Sequence, residues 1–332
     1  MKRSLVVVAF LSMCSLVLAS PAYATCGAES CPLVNDALHA GGRIAFDVRV
    51  QEATQDRLWN GTASTTVADV VSGAESHGEI ELYTHTRTVL AEARLRVTDR
   101  LSLTATLPWM DREHRHALAH TSTFDPATVD TWRYRGFADA TVLGSYHLLG
   151  SHHGLSVMLQ AGAKLPTGLA HVDGEVRDNA GFESALEPSA RPGTGSLDAI
   201  AGVTLSHPLP VPGMRPLAVS LQQRWTGKGT DDYEVGDETM AGVATAFGLG
   251  ERLTLLAQVN YARHAADVSA EASEASHSAI QSLYVTPGVR VGLGAGLSAY
   301  GMLQWRTWTK SEEATVVAPR HLMVGLRWSA AD

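Results

Sequence analysis

The stretch YRGFADATVLGSYHLLGSHHGLSVMLQAGAKLPTG, Tyr134 to Gly168, decides how the rest of the chain is read. Its first arm, Phe137 to Leu148, sets Ala140, Val142, Gly144, Tyr146 and Leu148 against Asp139, Thr141, Leu143, Ser145 and His147. Its second arm sets Leu155, Val157, Leu159, Ala161, Ala163 and Leu165 against Ser156, Met158, Gln160, Gly162 and Lys164. Alternation of period two marks a strand whose two faces meet different surroundings. The glycines at 150 and 154 supply a connection between the arms. A soluble half-buried sheet alternates in the same way, so the number, length and spacing of such arms must settle the class.

Outward from this hairpin, Arg43–Gln51, Thr86–Val97 and Leu101–Met110 precede it with the same alternation. Ser196–Ser206, Pro216–Thr226, Thr239–Leu249, Arg252–Arg263, Gln281–Val291, Leu297–Trp308 and His321–Trp328 follow it. The connections alternate between long and polar at one end and short at the other. Most of the arms have the roughly 9–11 residues that a tilted membrane strand needs. Trp109, Tyr146, Trp225, Tyr261, Trp305 and Trp328 fall near strand ends, where membrane interfaces collect aromatics. The pattern predicts an all-β fold, an antiparallel transmembrane β-barrel of about 12 strands, with a soluble sandwich or jelly roll as the alternative. An even strand number places both termini on the side of the short turns, the periplasm in bacterial outer-membrane barrels.

The ends agree with export. Lys2 and Arg3, an apolar run from Leu5 to Leu18, and Ala22-Tyr23-Ala24 form the pattern of a secretory signal over residues 1–24. Residues 25–41 then read as an N-terminal periplasmic or plug segment, and 42–332 as the barrel. Cys26 and Cys31 lie in that segment, and an oxidising compartment favours a disulfide between them. A reduced, metal-binding pair is the alternative. Of 26 basic residues, removing Lys2 and Arg3 leaves 24 against 34 acidic ones, a net charge near −10. That sign argues against a nucleic-acid partner. Leu322, Val324, Leu326 and Trp328 make an alternating face near the C-terminus, similar to the strand read by the barrel-assembly machinery, although four residues follow the tryptophan.

Four segments carry a family resemblance: TDRLSLTATLPWMDR (Thr98–Arg112), the F-x-D-x-x-V-L-G-x-Y run from Phe137 to Tyr146, KLPTG (Lys164–Gly168) and PGTGSLD (Pro192–Asp198). Together, in this order, they resemble a family of bacterial outer-membrane proteins labelled transporters or proteins of the MetA pathway of phenol degradation. The resemblance spans most of the exported chain. It departs at Ala138, where the family more often has glycine before the aspartate. It implies a porin- or channel-type barrel in the outer membrane, surrounded by lipid, without implying phenol chemistry.

In this register the lumen receives Glu92, Arg94, Arg96, Asp139, His147, Lys164, Asp198, Arg224, Arg290, Arg306 and Arg327, with Gln160, Gln222, Gln258 and Gln304. Inward polar residues suit a water-filled interior, since charge facing lipid costs about 2–4 kcal/mol at midplane. The inward excess of bases reads either as a salt-bridged interior or as a basic eyelet for anionic, polar or aromatic solutes. His114, His116 and His120 share the segment Asp111–His120, read as a polar loop that either is simply solvated or binds metal. A barrel-rim hydrolase using Asp231, Asp232 and His264 is a further alternative, but no triad spacing demands it. The glycines around 193 and 294 precede no helical pattern and read as turns, not phosphate loops. Passive passage of small solutes is expected, without catalysis or a cofactor.

Overall fold

A computed structural model describes residues 42–73, 79–118, 129–149, 154–170, 190–268 and 278–330. Residues 1–24, read above as a secretory signal, the segment 25–41 with Cys26 and Cys31, and His120 lie outside the described residues. In chain order the elements are β1 (Ile44–Gln55), β2 (Arg57–Asn60), β3 (Ala63–Ser64), α1 (Val67–Gly73), β4 (Glu79–Arg96) and β5 (Leu101–Leu118). Then come β6 (Val129–Phe137), β7 (Ala140–Leu149), β8 (Ser156–Leu165), β9 (Asp198–His207), β10 (Leu217–Trp225) and β11 (Glu238–Leu249). The chain ends with β12 (Leu253–His264), β13 (Ile280–Gly294), β14 (Leu297–Ser311), β15 (Thr315–Val317) and β16 (Arg320–Ser329).

Every strand of the large sheet pairs antiparallel with its neighbours, and β1 pairs with both β4 and β16, so the sheet closes on itself. Both β6 and β7 pair with β5, one along its upper part and the other along its lower part. They are two pieces of one wall position, and the barrel therefore has 12 strands. Closure leaves the described wall without a long free edge at the level of the short turns.

The outward face is apolar in a band. Phe46, Val48 and Val50 on β1, Leu103 and Leu107 on β5, Val243 on β11, Leu255 and Val259 on β12, and Leu322, Val324 and Leu326 on β16 are all exposed. Such a ring can face lipid but not water, and Trp225, Trp305 and Trp328 stand at its margins. Among the described residues no helix is long and apolar enough to span a bilayer, and the crossing is made by strands. The short ends include a two-residue turn at Ala295 and Gly296, with φ of 49° and 76°. Both central residues are left-handed, as in the type I′ turn that suits the twist of a hairpin.

Two regions depart from the strand limits read from sequence. Leu101–Met110 does not end at Met110: β5 runs on to Leu118, β4 begins at Glu79, and β6 continues the pairing. Outward apolar alternation stops there because the strands have left the lipid, not because pairing stops. Asp111, Glu113 and Arg115 replace Leu107 and Trp109 on the outward face, and Arg135 and Arg133 bind Asp111 and Glu113 at 3.0 and 2.7 Å. At the same end of the barrel, β2 pairs with β3 and with β15, tying the first long loop to the last. Trp59 packs there against Ile280 and Val317.

Candidate functional site

The interior is lined by even-numbered residues of most strands, and its charges are arranged in levels. At the outer rim, an ion-pair chain passes from strand to strand. Asp139 occupies the break between β6 and β7, and its Oδ2 meets Lys164 Nζ of β8 at 2.7 Å. Lys164 also lies 3.3 Å from Asp198 Oδ2 on β9, and donates to Thr194 Oγ1 at 2.6 Å. Arg224 on β10 stands 3.7 Å from Asp198 and 2.6 Å from Glu238 on β11. His264 on β12 has its Nδ1 3.5 Å from Glu238 and its Nε2 3.2 Å from Asp267.

Three sequence motifs converge on the start of that chain. Backbone N–H groups of Gly168 and Thr194 donate to Asp139 at 2.9 and 3.0 Å, so KLPTG and PGTGSLD are both fastened to the F-x-D aspartate. Gly168 and Gly193 touch backbone to backbone, and a Cβ on Gly193 would lie 2.6 Å from the carbonyl carbon of Gly168. Only residues without a side chain permit that approach. Ala138, the departure from the family pattern, is 6 % exposed and packs with Met110, Trp132, Tyr134 and Ala190.

Lower in the barrel, Arg49 bridges Asp47 and Glu92 at 3.2 and 3.3 Å, and Tyr300 donates to Asp47 Oδ1 at 2.8 Å. Beside this network Leu256, Tyr300, Met302 and Met323 pack together as a buried apolar cluster on the inner side of the wall. At the periplasmic end the charge changes character. Arg290 has Arg215 and Arg327 as charged neighbours, and among the described residues its hydrogen-bond acceptor is Thr254 Oγ1, at 3.4 Å. Asp47 is opposite Arg327 in register but is engaged by Arg49 and Tyr300.

The bases anticipated in the lumen thus fall into two groups. Lys164 and Arg224 are paired with carboxylates, and Arg306 is braced by Ala318 O at 2.9 Å and lies over the Tyr284 ring at 5.0 Å. Arg290 and Arg327 join no carboxylate ion pair among the described residues. Arg94 donates to Ser102 at 3.3 Å, and Glu92, Arg94 and Arg96 follow one another along the inward face of β4. His147 is on β7 and Gln160, Gln222, Gln258 and Gln304 are on β8, β10, β12 and β14. Asp47, Arg49 and Glu238 were not among the anticipated lumen residues, although the alternation of the first strand had already set Asp47 and Arg49 opposite its apolar face. Arg215 lies in the connection before β10, where no strand pattern could orient it.

The histidine segment is a correction. His114 and His116 are not in a solvated loop: they stand on β5, face inward, and are 1 % and 6 % exposed. Their level is above the lipid band, beside the outward Glu113 and Arg115. Thr84 Oγ1 donates to Glu81 Oε1 at 2.8 Å and lies 2.5 Å from His114 Nδ1. Burial, with His116 and Arg112 nearby, pushes the His114 imidazole down to about 2, so it is neutral at physiological pH. Among the described residues no group of three or more His, Cys, Asp or Glu side chains is set to hold a metal.

The rim residues considered for hydrolysis have other partners. Asp231 pairs with Arg191 at 2.8 Å, whereas His264 has both ring nitrogens engaged by Glu238 and Asp267. An imidazole held on both sides has no nitrogen left to take a proton from a nucleophile.

No protein-family model and no curated protein matches the sequence. Among solved structures, the chain is similar to an outer membrane channel from Pseudomonas putida F1, with a TM-score of 0.60 at 10% identity, covering 90% of this chain and 98% of that one. It is also similar to the transport unit of the autotransporter AIDA-I from Escherichia coli, with a TM-score of 0.51 at 9% identity, covering 91% of this chain and 93% of that one. At such identities the likeness is one of fold. With the closed sheet and its apolar belt, it places this chain among the outer-membrane β-barrels.

Proposed function

We propose that the barrel is a passive outer-membrane pore for small solutes that favours anions, including those with an apolar or aromatic body. The observation that supports this reading most directly is the arginine cluster at the periplasmic end. Arg290 lies close enough to Arg215 and to Arg327 to be repelled by each, and no carboxylate forms an ion pair with any of the three among the described residues. Like charges gathered in a low-dielectric wall focus a positive potential into the pore and raise the local anion concentration. The neighbouring Met302, Met323 and Tyr300 are packed together as a buried apolar cluster, which in this reading is a constriction that the body of such a solute parts as it passes.

Ion selectivity of the refolded chain in a planar bilayer tests this. A reversal potential in a salt gradient should show anion preference, and Arg290→Gln with Arg327→Gln should reduce it. Cation preference, or anion preference indifferent to those substitutions, would refute the reading. In a swelling assay benzoate should enter faster relative to acetate than its larger size alone allows, and Met302→Gln should remove that advantage.

A further inference from the structure

On the outward face of β10 to β14, five residues of adjacent strands stand in one register. Gln223 is opposite Thr239, Thr239 opposite Arg263, Arg263 opposite Gln281, and Gln281 opposite Lys310. The row beneath, two residues down each of the first four strands, is Leu221, Ala241, Tyr261, Leu283 and Trp308. Below that come Val243, Val259 and Val285, with Trp305 opposite Val285. His264, the residue after Arg263, turns inward to the rim chain, so the polar row marks the outer margin of the lipid band.

That row offers hydrogen-bond donors and positive charge, and it contains no acid. Tyr261 Oη donates to Gln281 Oε1 at 3.1 Å, which leaves the N–H2 group of the amide as a pair of donors between two bases. Lys310 is exposed and joins no ion pair among the described residues. Arg263 and Lys310 lie two strand spacings apart, about 9.6 Å between backbones. Their long side chains can therefore close on one anionic group above Gln281. The wall at β4, β5 and β6 is different, because its outward bases are already matched by carboxylates. Arg87 meets Glu52 at 3.3 Å, Arg133 meets Glu113 at 2.7 Å, Arg135 meets Asp111 at 3.0 Å, and Arg115 also pairs with Glu113.

We propose that Arg263, Gln281 and Lys310 form a docking site for the phosphate of a lipid headgroup in the outer leaflet. Phosphate presents acceptor oxygens and negative charge to a row made of donors and bases. Trp308, 41 % exposed, lies at the depth where an aromatic ring supports a headgroup, and the acyl chains run down the apolar rows beneath. A zwitterionic headgroup carries its own cation to this basic row and is a poorer match. The inference is independent of the pore reading.

Trp308 supplies the readout. The refolded full chain is placed in phosphatidylcholine vesicles that contain a small mole fraction of phosphatidic acid with brominated acyl chains, which quench the tryptophans they touch. The Trp308 share of emission, taken as the part lost in Trp308→Phe, should be quenched more than by the same fraction of brominated phosphatidylcholine. A base at the membrane surface enriches an anionic lipid about fivefold, so Lys310→Gln and Arg263→Gln should each weaken the preference by about that factor. Arg133→Gln combined with Arg135→Gln should leave it unchanged, and excess inorganic phosphate should not displace the lipid. Folding is checked by the heat-dependent gel shift of the barrel, and if Arg263→Gln does not fold, Lys310→Gln decides. Equal quenching by the two lipids, a preference that survives Lys310→Gln, an equal loss in the Arg133 and Arg135 double variant, or displacement by inorganic phosphate would overturn the lipid site.

Discussion

Replacing Lys164 with methionine keeps most of the side-chain volume but removes the charge at the start of the rim chain. Lys164 Nζ lies 2.7 Å from Asp139 and 3.3 Å from Asp198, and both carboxylates are buried, at 8 % and 1 % exposure. Breaking a buried pair by removing one partner costs about 3–5 kcal/mol, because the other charge is left without compensation. Two features pull the value toward the lower end. Asp139 keeps the N–H groups of Gly168 and Thr194, and Asp198 keeps Ser196 Oγ at 2.7 Å and Arg224 at 3.7 Å. The expected loss is about 3 kcal/mol, read as a lowered urea midpoint for the barrel refolded in micelles. Asp139→Asn combined with Lys164→Met should cost less than the sum of the two single changes, with a coupling of about 1–3 kcal/mol. A loss below about 1 kcal/mol for Lys164→Met, or strict additivity in the double variant, would refute the argument and reduce the chain to a set of solvated contacts.

Other outcomes follow from the same geometry. Gly193→Ala should destabilise by about 1–3 kcal/mol in the same unfolding assay, since its Cβ would meet Gly168 backbone at 2.6 Å and backbone cannot swing aside as a side chain can. Val243→Arg, on the lipid face of β11, should cost about 2–4 kcal/mol, whereas Arg135→Ala, on the charged outward face above the band, should cost less than about 1 kcal/mol. The His114 imidazole is held down to about 2 in the folded barrel against 6.5 in a free side chain. Below 6.5 the unfolded segment therefore binds a proton that the folded one does not, so stability is full above 6.5 and falls as pH drops toward 2. Hydrogen exchange across 111–117 should quicken as pH is lowered through that range, after correction for the intrinsic rate, and His114→Gln should remove the dependence.

The wall of the barrel is legible in the sequence because lipid enforces a single rule along every strand. Val243, Leu255 and Val324 must be apolar, and their neighbours one residue away need not be, so period two survives even where individual strands are short. The rule lapses where the lipid ends. From Asp111 to Leu118 the strand continues, but its outward face meets water, and its pairing with β6 is carried by Arg133 and Arg135 instead of by apolar residues. Sequence periodicity reports the surroundings of a strand, not its hydrogen bonds, which is why that hairpin reads as a polar loop.

The lumen is legible by face and not by partner. Alternation places Lys164, Asp198, Arg224 and Arg290 inside, but register alone decides that Arg224 stands opposite Glu238 while Arg290 stands opposite Tyr300. A count of inward bases therefore overstates the field felt by a solute. Lys164 and Arg224 are spent on holding the rim, where their carboxylates fasten Gly168, Thr194 and the turn at Gly227 to the wall. Arg215, Arg290 and Arg327 are the bases that the proposed pore leaves for a passing solute. Of these, Arg215 comes from an irregular connection and is invisible to any strand pattern. The division follows from topology: long loops fold back at the outer end and bring carboxylates into the rim chain, whereas Asp99 and Glu251, the acids of the short turns, form no ion pair with Arg215, Arg290 or Arg327 among the described residues, so charge is neutralised where the barrel must hold its loops and left unpaired at the opposite end.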